Sequence, residues 1–223
     1  MALKLHLGCG KVILPGFVNI DIRADIDSRI VKENIFTLDS IKDNSVDLIY
    51  ACHLLEHIDR HKILSVLSCW YRKLKYGGVL RLSVPDLDTI MKLYVDKQYP
   101  LEDLLGAIYG GRICRIDEYI VNEPSINIFD SLYKWHSNGG VLDDHKTGFN
   151  KETLIELLRT AGFNKFNLWD WRTAEHSKYD DFSQSYLPHM DKKNGTLISL
   201  NIEATKRGKV NNAYEIEISN WEV

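Results

Sequence analysis

LKLHLGCGKVILPGFVNIDI, residues 3–22, joins two short apolar runs through a glycine turn, and its reading decides the fold. Leu3–Leu7 and Phe17–Asp21 read as strands, because short runs of Leu, Val and Ile bounded by turn residues suit a parallel sheet buried on both faces. Gly8 and Gly10 stand where the first strand ends. Glycines there permit unusual backbone angles and let a ligand approach the main chain with no Cβ in the way. Open α/β sheets bind ligands beyond the carboxyl ends of their strands, which is where this turn lies.

Asp21 closes the second strand, at a position from which a carboxylate accepts hydrogen bonds from both hydroxyls of a ribose. A dinucleotide suits the turn less well than a smaller adenosyl ligand. The third glycine of G-x-G-x-x-G is missing, residue 13 being Ile, and the glycine-to-acid spacing is 11 residues instead of about 20. The crossover KVILPG has room for about one helical turn, a weak helix-dipole seat for a pyrophosphate.

Further strands are expected at Arg29–Lys32, Val46–Tyr50, Val79–Val84, Phe166–Trp171 and Leu197–Thr205. Ile58, Leu64, Leu67 and Leu74 form an approximate helical stripe ended by Gly77 and Gly78. Asn150 is expected to cap a helix that carries Leu154, Leu157 and Leu158, with Glu152 in its first turn, and that ends at Gly162. The alternation of Tyr214, Ile216 and Ile218 with Glu215, Glu217 and Ser219 suggests one more, half-exposed strand whose edge would suit a homodimer. After Pro85 the alternation stops. Residues 86–149 hold five of the 11 tyrosines, Trp135 and two glycine pairs, and a structureless loop of that length is implausible. A helical insertion or lid is expected, within a single domain covering 1–223.

A chain of 223 residues with 44% apolar residues has enough material for one buried core. The net charge of −3 and the short basic cluster Arg72, Lys73 and Lys75 argue against nucleic acid as a partner. Four cysteines without C-x-x-C spacing fit reduced thiols in the cytosol. No signal h-region and no apolar window near 18 residues stand out, so a soluble cytoplasmic protein without a membrane partner is expected.

HLLEH, residues 53–57, matches the H-x-x-E-H pattern of inverted zinc peptidases. That reading needs the whole pentad on a helix in a wet cleft, with a third ligand downstream. The strand VDLIYA runs directly into His53 instead, so a strand end beside a bound ligand, with no metal, is the expectation.

Taken together, the LGCG turn, Asp21, DNSVDLIYACHLLEH, LKYGGVLRLSVPD, FNKETLIELLRTAGF and SLNIEATK resemble the class I S-adenosylmethionine-dependent methyltransferases. Within that class the opening "LGCG…PGFVNIDI" is similar to a type 11-like bacterial subgroup found with polysaccharide-modifying genes. The resemblance implies an α/β, Rossmann-like, mostly parallel seven-stranded sheet with helices on both faces and a helical insertion after strand five. It also implies S-adenosylmethionine as cofactor. Gly8, Cys9 and Gly10 would line its methionine portion, Asp21 would hold the ribose, Asn34 and Ile35 would flank the adenine, and Cys52 and His53 would lie beside the sulfonium. His6 stands where many relatives carry an acid near the cofactor's ammonium, and Asn34 where an aspartate often meets the adenine amine.

Methyl transfer from a sulfonium is an in-line displacement that depends chiefly on positioning. The acceptor expected from the resemblance is an oxygen or nitrogen of a small polar metabolite, a sugar-linked one included. For a hydroxyl acceptor the candidate bases are His53, His136 and His145, with Asp86 at the end of the fifth strand; Asp86 reads equally well as a helix cap. Tyr109, Tyr119, Tyr133, Trp135, Arg112 and Arg115 in the insertion are candidates for the acceptor pocket or for the insertion's own core. The alternatives are a catalytically inert cofactor-binding or scaffold protein, a zinc hydrolase acting through HLLEH, and a nicotinamide oxidoreductase.

Overall fold

The computed structural model describes residues 2–110 and 144–207. Five parallel strands come first: β1 (Lys4–Leu7), β2 (Val18–Asp21), β3 (Ile30–Lys32), β4 (Val46–Cys52) and β5 (Leu74–Pro85). Helices α1 (Ile63–Lys73), α2 (Leu87–Val95), α3 (Leu101–Tyr109) and α4 (Lys151–Thr160) separate or follow them, and β6 (Phe163–Leu168) leads to a hairpin of β7 (Tyr186–Leu187) and β8 (Thr196–Leu197). The final described strand, β9 (Ser199–Lys206), inserts antiparallel between β5 and β6, giving the sheet order β3-β2-β1-β4-β5-β9-β6. The strand order reverses between β1 and β4, and a ligand crevice opens at such a point. The seven-stranded, mostly parallel sheet expected from the sequence is therefore present.

Strand parity divides the sheet into two chemically different faces. Leu5, Leu7, Ile49, Ala51, Leu80, Leu82, Ile202 and Ala204 join Ile63, Val66, Leu67 and Trp70 of α1 and Leu154 and Leu158 of α4 in one buried cluster. Their register neighbours His6, Tyr50, Arg81, Ser83, Asn201 and Glu203 occupy the opposite face. Among the described residues that face is covered by the segment around 169–187, built from short 3-10 turns capped by Asp170 and Asp181, and not by α-helices. Polar residues on this face make a helix with an apolar stripe a poor cover, whereas a turn-rich segment brings its own hydrogen-bonding groups.

The stripe expected to mark α1 is shifted. Ile58 lies in extended chain before the helix and Leu64 is 40% exposed, while Ile63, Val66, Leu67 and Trp70 carry the packing. The helix ends at Lys73, ahead of the glycine pair, because Leu74 already pairs with Val46 in the sheet. No helix forms in the first crossover. The Asn19 side chain closes it instead, its Oδ1 accepting from Leu14 N at 3.0 Å and its Nδ2 donating to Leu14 O at 3.1 Å.

Asn150 caps α4 as expected, but the box is completed by Thr153 and not by Glu152: Asn150 Oδ1 accepts from Thr153 N, and the Asn150 N–H is directed at Thr153 Oγ1. Asn150→Ala is expected to lower stability by about 1 kcal/mol in urea unfolding. Within the expected insertion, α2 and α3 form a small second core of Ile90, Leu93 and Leu104 against Ile198. The expected contributions of Arg112, Arg115, Tyr119, Tyr133, Trp135, His136 and the strand at 214–219 lie outside the described residues.

Candidate functional site

The glycine turn is stapled to the end of β2. Gly10 N donates to Asp21 Oδ2 at 2.9 Å, Arg23 N donates to Asp21 Oδ1 at 2.8 Å, and the Arg23 Nε lies 3.5 Å from the same oxygen. A carboxylate has roughly four acceptor sites, so Asp21 retains capacity for further donors at the switch point. Gly8 and Gly10 both have positive φ, 63° and 52°, which explains glycine at each.

Their open sides differ. A Cβ at Gly10 would meet nothing nearer than Arg23 Nη2 at 3.9 Å, whereas at Gly8 it would fall 2.6 Å from Leu54 Cδ1. The vacancy expected beside Gly8 is thus filled by the isobutyl group of Leu54, a member of HLLEH to which the sequence alone assigns no role. Cys9 is buried, and burial foremost pushes its thiol up to about 11, so it stays protonated.

His6 departs from its expected place near a ligand's ammonium. The ring is 2% exposed, stacks on Tyr50 with centroids 5.1 Å apart, and Nδ1 lies 3.1 Å from Asn19 Oδ1. Burial lowers its pKa to about 4 and keeps it neutral. Odd-numbered β1 residues face the helices, so His6 must point into the polar layer, where Tyr50 donates to Asp181 Oδ2 at 2.6 Å and His176 lies against the Tyr50 ring. Asp181 and His176 were not singled out in the sequence, and their distance along the chain from β1 and β4 leaves no local signal. Asn34 is exposed and turns its side chain to Phe36 N, while the Ile35 carbonyl accepts from Trp70 Nε1 at 2.9 Å.

At the end of β4, HLLEH is not helical as a unit. Cys52 is the last strand residue, His53 has a φ of 46°, and only Leu55–His57 forms a single 3-10 turn. A non-glycine residue held at such an angle costs about 1–3 kcal/mol, and such strain clusters at functional sites. His53 Nε2 contacts Ser199 Oγ at 3.0 Å, and Nδ1 lies 3.1 Å from Glu56 Oε1. Burial, then Asp181, pushes the Cys52 thiol well up.

The other two candidate bases are also engaged. Asp86 caps α2, accepting from Thr89 N and from the Thr89 hydroxyl at 2.7 Å. His145 Nδ1 lies 3.2 Å from the Ile108 carbonyl, and Nε2 lies 3.9 Å from Glu56 Oε1. None of the three is a free base aimed at the glycine turn.

Residues 16–82, spanning the β2 end, β4 and the HLLEH turn, match the family model for a methyltransferase domain. An S-adenosylmethionine-dependent methyltransferase from Methanosarcina mazei superposes with a TM-score of 0.53 at 17% identity, covering 92% of this chain and 92% of its own. The fold is that of the S-adenosylmethionine-dependent methyltransferases. Another with this methyltransferase fold, from Thermotoga maritima, gives a TM-score of 0.50 at 19% identity over 93% of this chain and 83% of its own. No curated protein sequence matches the chain. At these identities the likeness is one of fold.

Proposed function

We propose that this chain is an S-adenosylmethionine-dependent methyltransferase, acting in the cytoplasm on an oxygen or nitrogen of a small polar metabolite. The observation that carries the reading is the Gly10–Asp21 link, an acid with spare acceptor capacity beside an open glycine at the switch point of a methyltransferase-type sheet. Its carboxylate acceptors fit the hydroxyls at the sugar end of an adenosyl group. The cofactor, when bound, supplies an electrophilic methyl on a sulfonium. Asp21 would hold the ribose hydroxyls, Gly10 would admit the ligand to the main chain, and Asn34 and Ile35 would border the base. Gly8, Cys9, Cys52 and His53 ring the expected methionine end, where Leu54 now packs.

Alignment of acceptor and methyl does most of the catalytic task in such a displacement, so the absence of a free base among His53, His145 and Asp86 does not oppose it. A sugar-linked acceptor follows from the subgroup with the LGCG…PGFVNIDI opening, with the insertion at 86–149 forming its pocket. Calorimetry tests the reading directly: S-adenosylmethionine and S-adenosylhomocysteine should each bind one to one, and NADH should not compete. Tighter binding of NADH would transfer the site to nicotinamide chemistry.

A second reading, a cofactor-binding protein without turnover, is favoured by the structural hydrogen bonds that occupy the three candidate bases among the described residues, His53, Asp86 and His145. Label passing from the methyl-labelled cofactor to a product in cell extract would exclude it.

A further inference from the structure

Glu56 is fully buried, with its side chain 1% exposed, and neither carboxylate oxygen has a hydrogen-bond partner among the described residues. His53 Nδ1, 3.1 Å from Oε1, is a charge partner for that oxygen when the ring is protonated, and Oε2 has no such neighbour among the described residues. An unpartnered buried carboxylate is costly, by several kcal/mol in general, and calls for a cation.

Two imidazoles converge on it. His57, in the same 3-10 turn, places Nδ1 3.1 Å from the Asp144 carbonyl, and His145 places Nδ1 3.2 Å from the Ile108 carbonyl. A carbonyl only accepts, so in each ring Nδ1 carries the hydrogen and Nε2 is left with a lone pair in the neutral form. One ligand atom from each of Glu56, His57 and His145 lies within 4.8 Å of the others, and the two rings meet edge to face with centroids 4.9 Å apart. His145 Nε2 lies 3.9 Å from Glu56 Oε1, and its lone pair and the carboxylate repel unless a positive ion stands between them.

The backbone holds this arrangement independently of any ion. The return segment of the insertion is fixed beside the turn by Lys146 N and Thr147 N donating to Glu56 O, and by His145 N donating to Tyr109 O. Metal-bound histidines nearly always donate their second ring N–H to a carbonyl or carboxylate, which is the arrangement of both rings here.

We propose that Glu56, His57 and His145 bind one divalent transition-metal ion, zinc by preference, through Glu56 Oε and the two Nε2 atoms. Three protein ligands leave a fourth position for solvent, the pattern of open zinc sites. Tetrahedral ligation at about 2.1 Å brings ligand atoms to about 3.4 Å from one another, so loading draws the triad together. The ligand set differs from the pentad pattern of HLLEH. His53 is excluded by its strand-end position and serves as a neighbour of Glu56, and His145 supplies the ligand from the far side of the insertion. This site does not depend on the methyltransferase reading.

The test uses the full chain, stripped with a chelator and titrated with Zn²⁺ by calorimetry and with Co²⁺ by visible absorption. One Zn²⁺ per chain is expected, with a Co²⁺ d–d band of low-coordinate intensity that Zn²⁺ abolishes. His57→Gln and His145→Gln, whose amides still donate to the carbonyls, should each weaken Zn²⁺ by more than about 100-fold, beyond the loss that follows from an outer-shell partner. Glu56→Gln should do the same, and His61→Gln, at an exposed position, should not. Circular dichroism of each variant establishes that it is folded. Absence of stoichiometric binding to the wild type, or full affinity in folded His57 and His145 variants, would overturn the site.

Discussion

Asp21→Ala is expected to lose affinity for S-adenosylmethionine by at least about 100-fold and, separately, to destabilise the fold by about 2–3 kcal/mol. The first figure follows from two charge-assisted hydrogen bonds to ribose hydroxyls at about 1.5–3 kcal/mol each. The second follows from the native contacts: without the carboxylate, Gly10 N and Arg23 N lose their acceptor, and an unsatisfied donor costs about 1–3 kcal/mol where water does not replace the partner. Gly10 is half-buried and Arg23 exposed, so most of the loss belongs to the Gly10 staple. Urea unfolding measures the stability term, and calorimetry on the folded fraction measures binding. Asp21→Asn keeps one acceptor oxygen and should recover part of the stability while remaining defective in binding. Wild-type affinity in the folded alanine variant would remove Asp21 from the cofactor site, and unchanged stability would remove the staple.

Asp21, bonded to the glycine turn, illustrates what could be read from the sequence and what could not. Its position at a strand end, after a glycine turn, was legible because both features are local. That it also anchors the turn depends on β1 and β2 being neighbours, a fact of topology. The strands were legible for the same reason: runs such as VDLIY and VLRLSV are dense enough in β-branched and apolar residues to declare themselves. The helix face was less so, because Ile58, Leu64 and Leu74 fit a helical period yet belong to an extended link, an exposed flank and a strand.

The polar layer on the second face was invisible. The sequence places His6 beside a ligand and singles out neither Asn19 nor Tyr50, whereas Asp181 and His176 arrive from far along the chain to pack on Tyr50, against which His6 stacks. Leu54 over Gly8 is another long-range pairing, since it depends on β1 and β4 standing side by side. HLLEH shows a subtler limit. The sequence offered the right residue types, but the pentad breaks at a positive φ, so the partner of Glu56 and His57 is a histidine about ninety positions downstream.

Stability should fall by about 3 kcal/mol as the pH drops from about 6.5 to about 4.5, and His6 should account for most of it. Its folded pKa is lowered to about 4, against 6.5 when unfolded. The folded state keeps the ring neutral while the unfolded chain takes up a proton below 6.5, so the unfolded state binds more protons and is favoured as acid is added. The destabilisation therefore starts near pH 6.5, grows as the pH falls, and stops near 4, where both states are protonated; each unit of separation is worth about 1.4 kcal/mol. His176, lowered chiefly by burial, adds in the same direction. Carboxylates act in a lower window: Glu175, held down to about 2 by Lys4 and Arg81 against burial, begins to lose its contribution only below its ordinary 4.5. The interval between is a histidine window. His6→Phe keeps a flat ring against Tyr50 and leaves Asn19 Oδ1 accepting from Leu14 N, so the fold should tolerate it. Chemical unfolding of wild type and variant across that interval should give a steep slope for the first and a shallow one for the second. Equal slopes would mean that the ring at position 6 is not held neutral by the layer around it, and the burial of the second face would have to be reassigned.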